Sequence, residues 1–228
     1  MKIPELHRRL LADVIAVGTP YPLVLTGGYA VQAHGLVDRV SRDLDVATDT
    51  SAQLSDVASS LRAGLEARGW HIAQLELDAL SARFMVTDPA TCEDCEVDIL
   101  KQTMSGAPLQ TVYGPVLPVE DVIAAKMVAL AERGVARDLI DAHAASARWS
   151  HTELEEYGQR HAWGGFDLAD LRARLEGAEW MDDREFIDYG LDETQIAGLR
   201  RWAQEWADDI GERLAEEAPY EEPPSEEE

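Results

Sequence analysis

Residues 23–48 read LVLTGGYAVQAHGLVDRVSRDLDVAT, and the rest of the chain is interpreted from this stretch. Leu23–Thr26 is a short apolar run ending at Gly27-Gly28, the pattern of a buried strand that stops at a tight turn. Tyr29 to His34 begins a short helix, closed by Gly35, a residue suited to the left-handed conformation at a helix end. Asp43 to Thr48 reads as a second strand. Alternation along a strand sends Asp43 and Asp45 to one face and Leu44 and Val46 to the core. Two carboxylates held side by side repel, so the pair calls for a compensating cation, and hard oxygen ligands suit Mg²⁺ or Mn²⁺. The Gly27-Gly28 turn allows close backbone approach and offers amides that favour phosphate.

Upstream, residues 3–16 form an amphipathic helix with Leu6, Leu10, Val14 and Ile15 at helical spacing. Downstream, Thr50 or Ser51 is placed to cap a helix whose stripe is Leu54, Val57, Ala58, Leu61 and Leu65. Segments 70–77, 82–87 and 95–101 read as further strands. In the last of these Asp98 shares a face with Glu96 and Leu100, while Val97 and Ile99 point the other way. If that strand lies beside the Asp43–Asp45 strand, three carboxylates meet at one site. Such a site can hold two metal ions, and Asp98 is then placed to help deprotonate an acceptor.

Past Pro115–Pro118 the pattern becomes helical: Val119–Arg133 and Arg137–Arg148 joined at Gly134, a third helix with capping-box spacing at Ser150 and Glu153, and a last one from about Thr194 to Leu214. The expected fold is α/β (α+β), a small mixed sheet flanked by helices with a helical C-terminal region. The domain reading is a core at 1–116, a helical domain at 117–215 and a disordered acidic tail at 216–228. Lys126 stands in an apolar stripe with Val119, Val122, Ile123 and Leu130. A lysine there is costly unless an anion meets it or its ammonium snorkels to water.

The 228 residues carry 44 acidic and 20 basic side chains, a net charge of −24. Such a surface repels phosphate backbones, so broad sequence-blind nucleic-acid binding is not expected, although a local basic patch could seat one RNA end. The charge also suits a cationic acceptor or a basic protein partner. The chain shows no membrane span and no secretory signal, which gives a cytoplasmic expectation. Cys92 and Cys95 read as loop thiols without a zinc or redox role, because no second pair accompanies them. His34 and His71 read as structural, and the tryptophans at 163, 180, 202 and 206 as core packing.

Taken together, GGYA at 27–30, Gly35, RVSRDLD at 39–45, EDVIAAKMVAL at 120–130 and RGVARDLID at 133–141 resemble the AbiEii/AbiGii toxin-like branch of the polymerase-β-like nucleotidyltransferases. The likeness spans roughly residues 22–145. It implies an enzyme that moves an NMP from an NTP to an acceptor. Asp43, Asp45 and Asp98 would bind Mg²⁺ or Mn²⁺, and Thr26, Gly27 and Gly28 would line the phosphate loop. Lys126 would contact the triphosphate, and Arg137, Asp138 and Asp141 would line the second half of the cleft, with Asp138 counted among the catalytic groups. Arg42 and Arg39 balance the carboxylates or touch the nucleotide. Asp138 and Asp141, one helical turn apart, could instead form surface pairs with Arg137.

Three functions stay open at this point. One is a toxin that modifies RNA, such as a tRNA, or a protein, and is answered by a cognate antitoxin. The second is transfer to a small polycation of the aminoglycoside kind, which an acidic cleft would attract. The third is a non-catalytic binding module.

Overall fold

The computed structural model describes residues 2–162 and 165–217. A seven-stranded mixed sheet runs in the order β3-β4-β5-β2-β1-β7-β6. Its strands are β1 (Val24–Leu25), β2 (Leu44–Thr48), β3 (His71–Leu77), β4 (Ser81–Thr87), β5 (Asp94–Lys101), β6 (Leu109–Thr111) and β7 (Gly114–Val116). β2 pairs in parallel with β5, and β1 in parallel with β7; the remaining pairings are antiparallel.

One face of this sheet is closed by α1 (Glu5–Val17) and α3 (Leu54–Glu66), whose apolar stripes share a core with Leu44, Val46, Phe84, Val97 and Ile99. The expected α3 stripe is buried at every position. Its cap is not the one expected: Gln53 occupies the N-cap position and makes no side-chain cap. Thr50 and Ser51 lie upstream, where Thr50 Oγ1 accepts from the Ala52 amide in a local turn. α2 (Gly27–Ala33) starts two residues earlier than its apolar pattern suggests, so both glycines lie in its first turn.

Beyond β7 come α4 (Val119–Glu132), α5 (Ala136–Ala145), α6 (His151–His161), α7 (Leu168–Gly177), α8 (Asp183–Ile187) and α9 (Glu193–Glu217). They bury a second apolar cluster centred on Met127, Leu139, Leu154, Phe186 and Trp206. The Ser150–Glu153 capping box is formed as expected, and Gly134 takes the left-handed conformation (φ +56°) between α4 and α5. Trp206 is buried, with its Nε1–H donating to Glu155 (2.8 Å). Trp180 departs from the expected packing and is 87% exposed.

The short strands β6 and β7 and the helices α7 and α8 were not expected. Three-residue strands show no periodicity, and the helical stretches are short and rich in charge. Asp167 and Asp182, whose side chains cap α7 and α8, were the available sequence signals. Helix α9 runs to Glu217, two residues into the segment read as a tail; residues 218–228, and Trp163, lie outside the described part. Among the described residues no helix is long and apolar enough to cross a membrane.

Candidate active site

The face of the sheet opposite α1 and α3 carries the acidic residues. In the β2–β5 register Asp45 stands directly opposite Asp98, the convergence on which a metal-binding reading depends. Arg83 on β4 stands opposite Asp98 on its other side, and the Thr26 amide donates to the Asp45 carbonyl (2.9 Å). Arg83, Asp98 and Asp45 on three strands and Thr26 just past the end of β1 thus form a row, neighbours being about 5 Å apart in the hydrogen-bonding direction. Asp43, two residues before Asp45, projects to the same side.

α4 faces this row across a cleft of about 260 Å³. Thr26, Gly27 and Gly28 form one edge of it. Val122, Ala125, Lys126 and Ala129 supply the α4 wall at i, i+3, i+4 and i+7, with Leu100 and Gln102 from β5 and its exit opposite. The expected residues Thr26, Gly27, Gly28, Arg42, Asp43, Asp45, Asp98, Lys126 and Arg137 all reach this cleft. Asp138 and Asp141 do not line it.

The two residues outside the cleft lie behind it. Asp141 is fully buried, accepts from Arg39 at both carboxylate oxygens (2.9 and 2.6 Å), and lies 2.9 Å from Lys126 Nζ. Burial alone would raise the Asp141 carboxyl pKa, but Lys126 and Arg39 hold it below the usual carboxylate value. The anion that the buried lysine required is therefore a protein carboxylate. Asp138, also fully buried, takes a fork from Arg133 (2.8 and 3.0 Å). Arg137 does not join either in a surface pair; its Nη1 donates to Asp43 (3.0 Å). Arg39 balances Asp141 rather than the Asp43/Asp45 pair, and Arg42 extends over the Tyr189 ring.

Among the three cleft carboxylates, Asp98 is gripped by Arg83 (2.7 and 2.8 Å) and Asp43 by Arg137, whereas no hydrogen bond or ion pair reaches the Asp45 side chain among the described residues. Its pKa is pushed up to about 6 by burial and by the neighbouring Asp43 and Asp98 charges, with Lys126 acting the other way. A Cβ on Gly27, whose φ is +59°, would run into the Asp45 carboxylate, so only glycine leaves the space around that group open. Among the described residues no three acidic, histidine or cysteine groups stand at metal-ligating distance, and two of these carboxylates face arginines. Three hard-oxygen donors in one cleft, the middle one without a counter-charge bonded to it, fit a divalent cation once those arginines yield.

Tyr29 turns away from the cleft into the core, where its hydroxyl meets His7 Nδ1 (2.6 Å) and donates to the Ser41 carbonyl (3.2 Å), tying down the loop before β2. Cys95 is not a loop thiol. It sits buried on β5, and burial pushes it up to about 12, while Cys92 is exposed. Sequence reasoning missed Arg83, Arg133, Gln102 and Tyr189 as cleft residues. The alternation Ala82, Phe84, Val86 told which face Arg83 takes, but not which strand lies beside it.

A mixed sheet with cross-strand aspartates beneath a lysine-bearing helix defines a nucleotidyltransferase fold. The sequence matches the model of the family described as "Nucleotidyl transferase AbiEii toxin, Type IV TA system" over residues 9–219, and the chain belongs to that family. JHP933 from Helicobacter pylori superposes with a TM-score of 0.54 at 19% identity, covering 94% of this chain and 96% of that one. MenT4, a nucleotidyltransferase toxin from Mycobacterium tuberculosis H37Rv, gives 0.54 at 15% identity, covering 92% and 90%. At such identities these structures establish the fold. No curated protein matches the sequence.

Proposed function

We propose that this chain transfers an NMP from an NTP to a macromolecular acceptor, RNA such as a tRNA or a protein, as the toxin of a toxin–antitoxin pair in the cytoplasm, where a cognate antitoxin opposes it. One observation carries this reading: the Asp45–Asp98 register pair faces a cleft whose lining holds six basic side chains against three acidic ones, in a chain of net charge −24. With the buried Asp138 and Asp141 behind the wall counted, the balance there is still slightly positive, so this is where an otherwise strongly acidic chain can accept a triphosphate.

Asp43, Asp45 and Asp98 would hold Mg²⁺ or Mn²⁺. When bound, the ion neutralises triphosphate charge and acidifies the attacking hydroxyl. The remaining work falls to the chain. The backbone at Gly27 and Gly28 admits the phosphates closely, because neither residue carries a Cβ. Lys126, Arg133 and Arg137 oppose the charge that builds on the leaving pyrophosphate. An Asp98 oxygen, freed from Arg83, accepts the acceptor hydroxyl's proton. Asp138 and Asp141 act as positioning residues, fixing Arg133 and Lys126 in the wall.

A small polycationic acceptor is less well supported, since it calls for an acidic cleft and this lining has a basic surplus. The complete carboxylate and lysine set counts against a non-catalytic module. The test is incubation of the protein with each α-labelled NTP, Mg²⁺, and total cellular RNA, protein and metabolites. Label on RNA or protein is expected. Label on a small cation would overturn the acceptor class, and no label with any NTP would leave the binding module. Growth arrest on expression, relieved by Asp43→Ala or Lys126→Ala, would support the toxin role.

A further inference from the structure

The six basic residues of the cleft fall into groups by what they hold. Arg39 and Lys126 are anchored on Asp141, and Arg133 on Asp138, buried carboxylates outside the cleft that no incoming ion would claim. Arg42 reaches Asp188 (3.5 Å) and the Tyr189 ring, and is exposed. Arg83 and Arg137 alone are tied to carboxylates of the candidate metal site. Arg83 belongs to none of the motifs that mark the family likeness, yet its hold is the tighter. Nε lies 2.7 Å from one Asp98 oxygen and Nη2 lies 2.8 Å from the other, so its fork spans the whole carboxylate.

We propose that Arg83 is a displaceable counter-ion that becomes a substrate ligand: it occupies Asp98 while no divalent ion is bound, and once displaced its guanidinium binds the triphosphate of the nucleotide. This rests on the nucleotidyltransferase reading and adds a residue to it. A guanidinium across both oxygens and a divalent cation on the same carboxylate repel at short range, so the two compete. Displacement is feasible because the Arg83 side chain is 38% exposed and can remain solvated. The freed fork stands at the end of the Arg83–Asp98–Asp45–Thr26 row, facing the cleft, and its planar donors match phosphate oxygens. Glu96, 3.3 Å from Arg83 Nε, is the competing resting place, and a guanidinium captured there would do nothing for nucleotide binding.

The test uses the full chain carrying Arg83→Gln, with Arg62→Gln on the exposed side of α3 as a control for lost positive charge. Binding of Mn²⁺ alone is followed by electron paramagnetic resonance. Binding of each NTP in excess Mn²⁺ is followed by calorimetry. Loss of a charged hydrogen-bonding group should weaken the best-bound NTP about tenfold, while Mn²⁺ alone binds several-fold tighter because its competitor at Asp98 is gone. The control should match wild type in both. Unchanged or weaker Mn²⁺ binding, or unchanged NTP affinity, overturns the proposal. If Arg83→Gln does not fold, Arg83→Lys gives the same comparison, since lysine cannot span both oxygens. A wild-type chain that binds no NTP in Mn²⁺ overturns the underlying functional reading, an outcome visible before any variant is compared.

Discussion

Lys126 Nζ stands 2.9 Å from Asp141 Oδ2, and Arg39 holds the same carboxylate through both oxygens. One buried anion thus fixes two cleft cations, one from α4 and one from the loop before β2. Removing the anion and removing a cation have unequal consequences. Asp141→Asn leaves two cations without their partner in a buried site and should cost about 3 kcal/mol or more of stability. Lys126→Met leaves Asp141 still paired with Arg39 and should cost less, while abolishing NMP transfer. Urea denaturation of both variants, read beside a labelled-NTP assay, checks the ordering.

The unmatched carboxylate at Asp45 sets stability against function. Its folded pKa of about 6 exceeds the ordinary 3.8, so the folded chain binds the proton more tightly than the unfolded one. Wild-type stability, relative to Asp45→Asn, should therefore fall as pH rises from about 4 to about 6 and stay lower above that. At pH 7 without metal the asparagine variant should be the more stable, by up to about 3 kcal/mol, and inactive. Thermal melts across that pH range decide the sign.

Divalent ions should reverse that penalty. Mg²⁺ or Mn²⁺ should raise the melting temperature of the wild-type chain and leave Asp45→Asn nearly unmoved, because a ligand stabilises only the state that binds it. Chelation with EDTA should abolish transfer, and Mg²⁺ should restore it. Activity that persists in EDTA would remove the metal from the reading.

The Arg133–Asp138 fork is asymmetric in exposure, the arginine side chain 48% exposed and the aspartate fully buried. Arg133→Gln strands a buried charge and should cost about 3 kcal/mol, whereas Asp138→Asn leaves an arginine that reaches water and should cost about 1. Both should raise KM for the NTP, and the double variant should fall short of the sum of the single effects. Fully additive losses would mean the two residues act separately.

Ser150 tests the helical region apart from the site. It caps α6 through the Glu153 amide, with Glu153 returning a bond to the Ser150 amide. Ser150→Ala should lower stability by about 1 kcal/mol and leave transfer unchanged.

By itself the sequence determined the longer elements around the site and the chemistry they carry, but not β6, β7, α7 or α8. Alternation in DLDVAT and in EVDIL told which carboxylates share a face, and 3.6-residue spacing placed Lys126 in an apolar stripe. Local backbone physics suffices for these readings, because side-chain direction follows directly from strand or helix geometry. Only the tertiary structure decided who meets whom. The parallel register that sets Asp45 against Asp98, the antiparallel one that brings Arg83 to Asp98, and the pairing of Lys126 with Asp141 join residues far apart in the chain. Charge alone could not assign these partners, since any of the six basic groups of the cleft could have satisfied any of the carboxylates. The packing of α5 against α4 made the choice, and it placed Asp138 and Asp141 behind the cleft wall rather than in it.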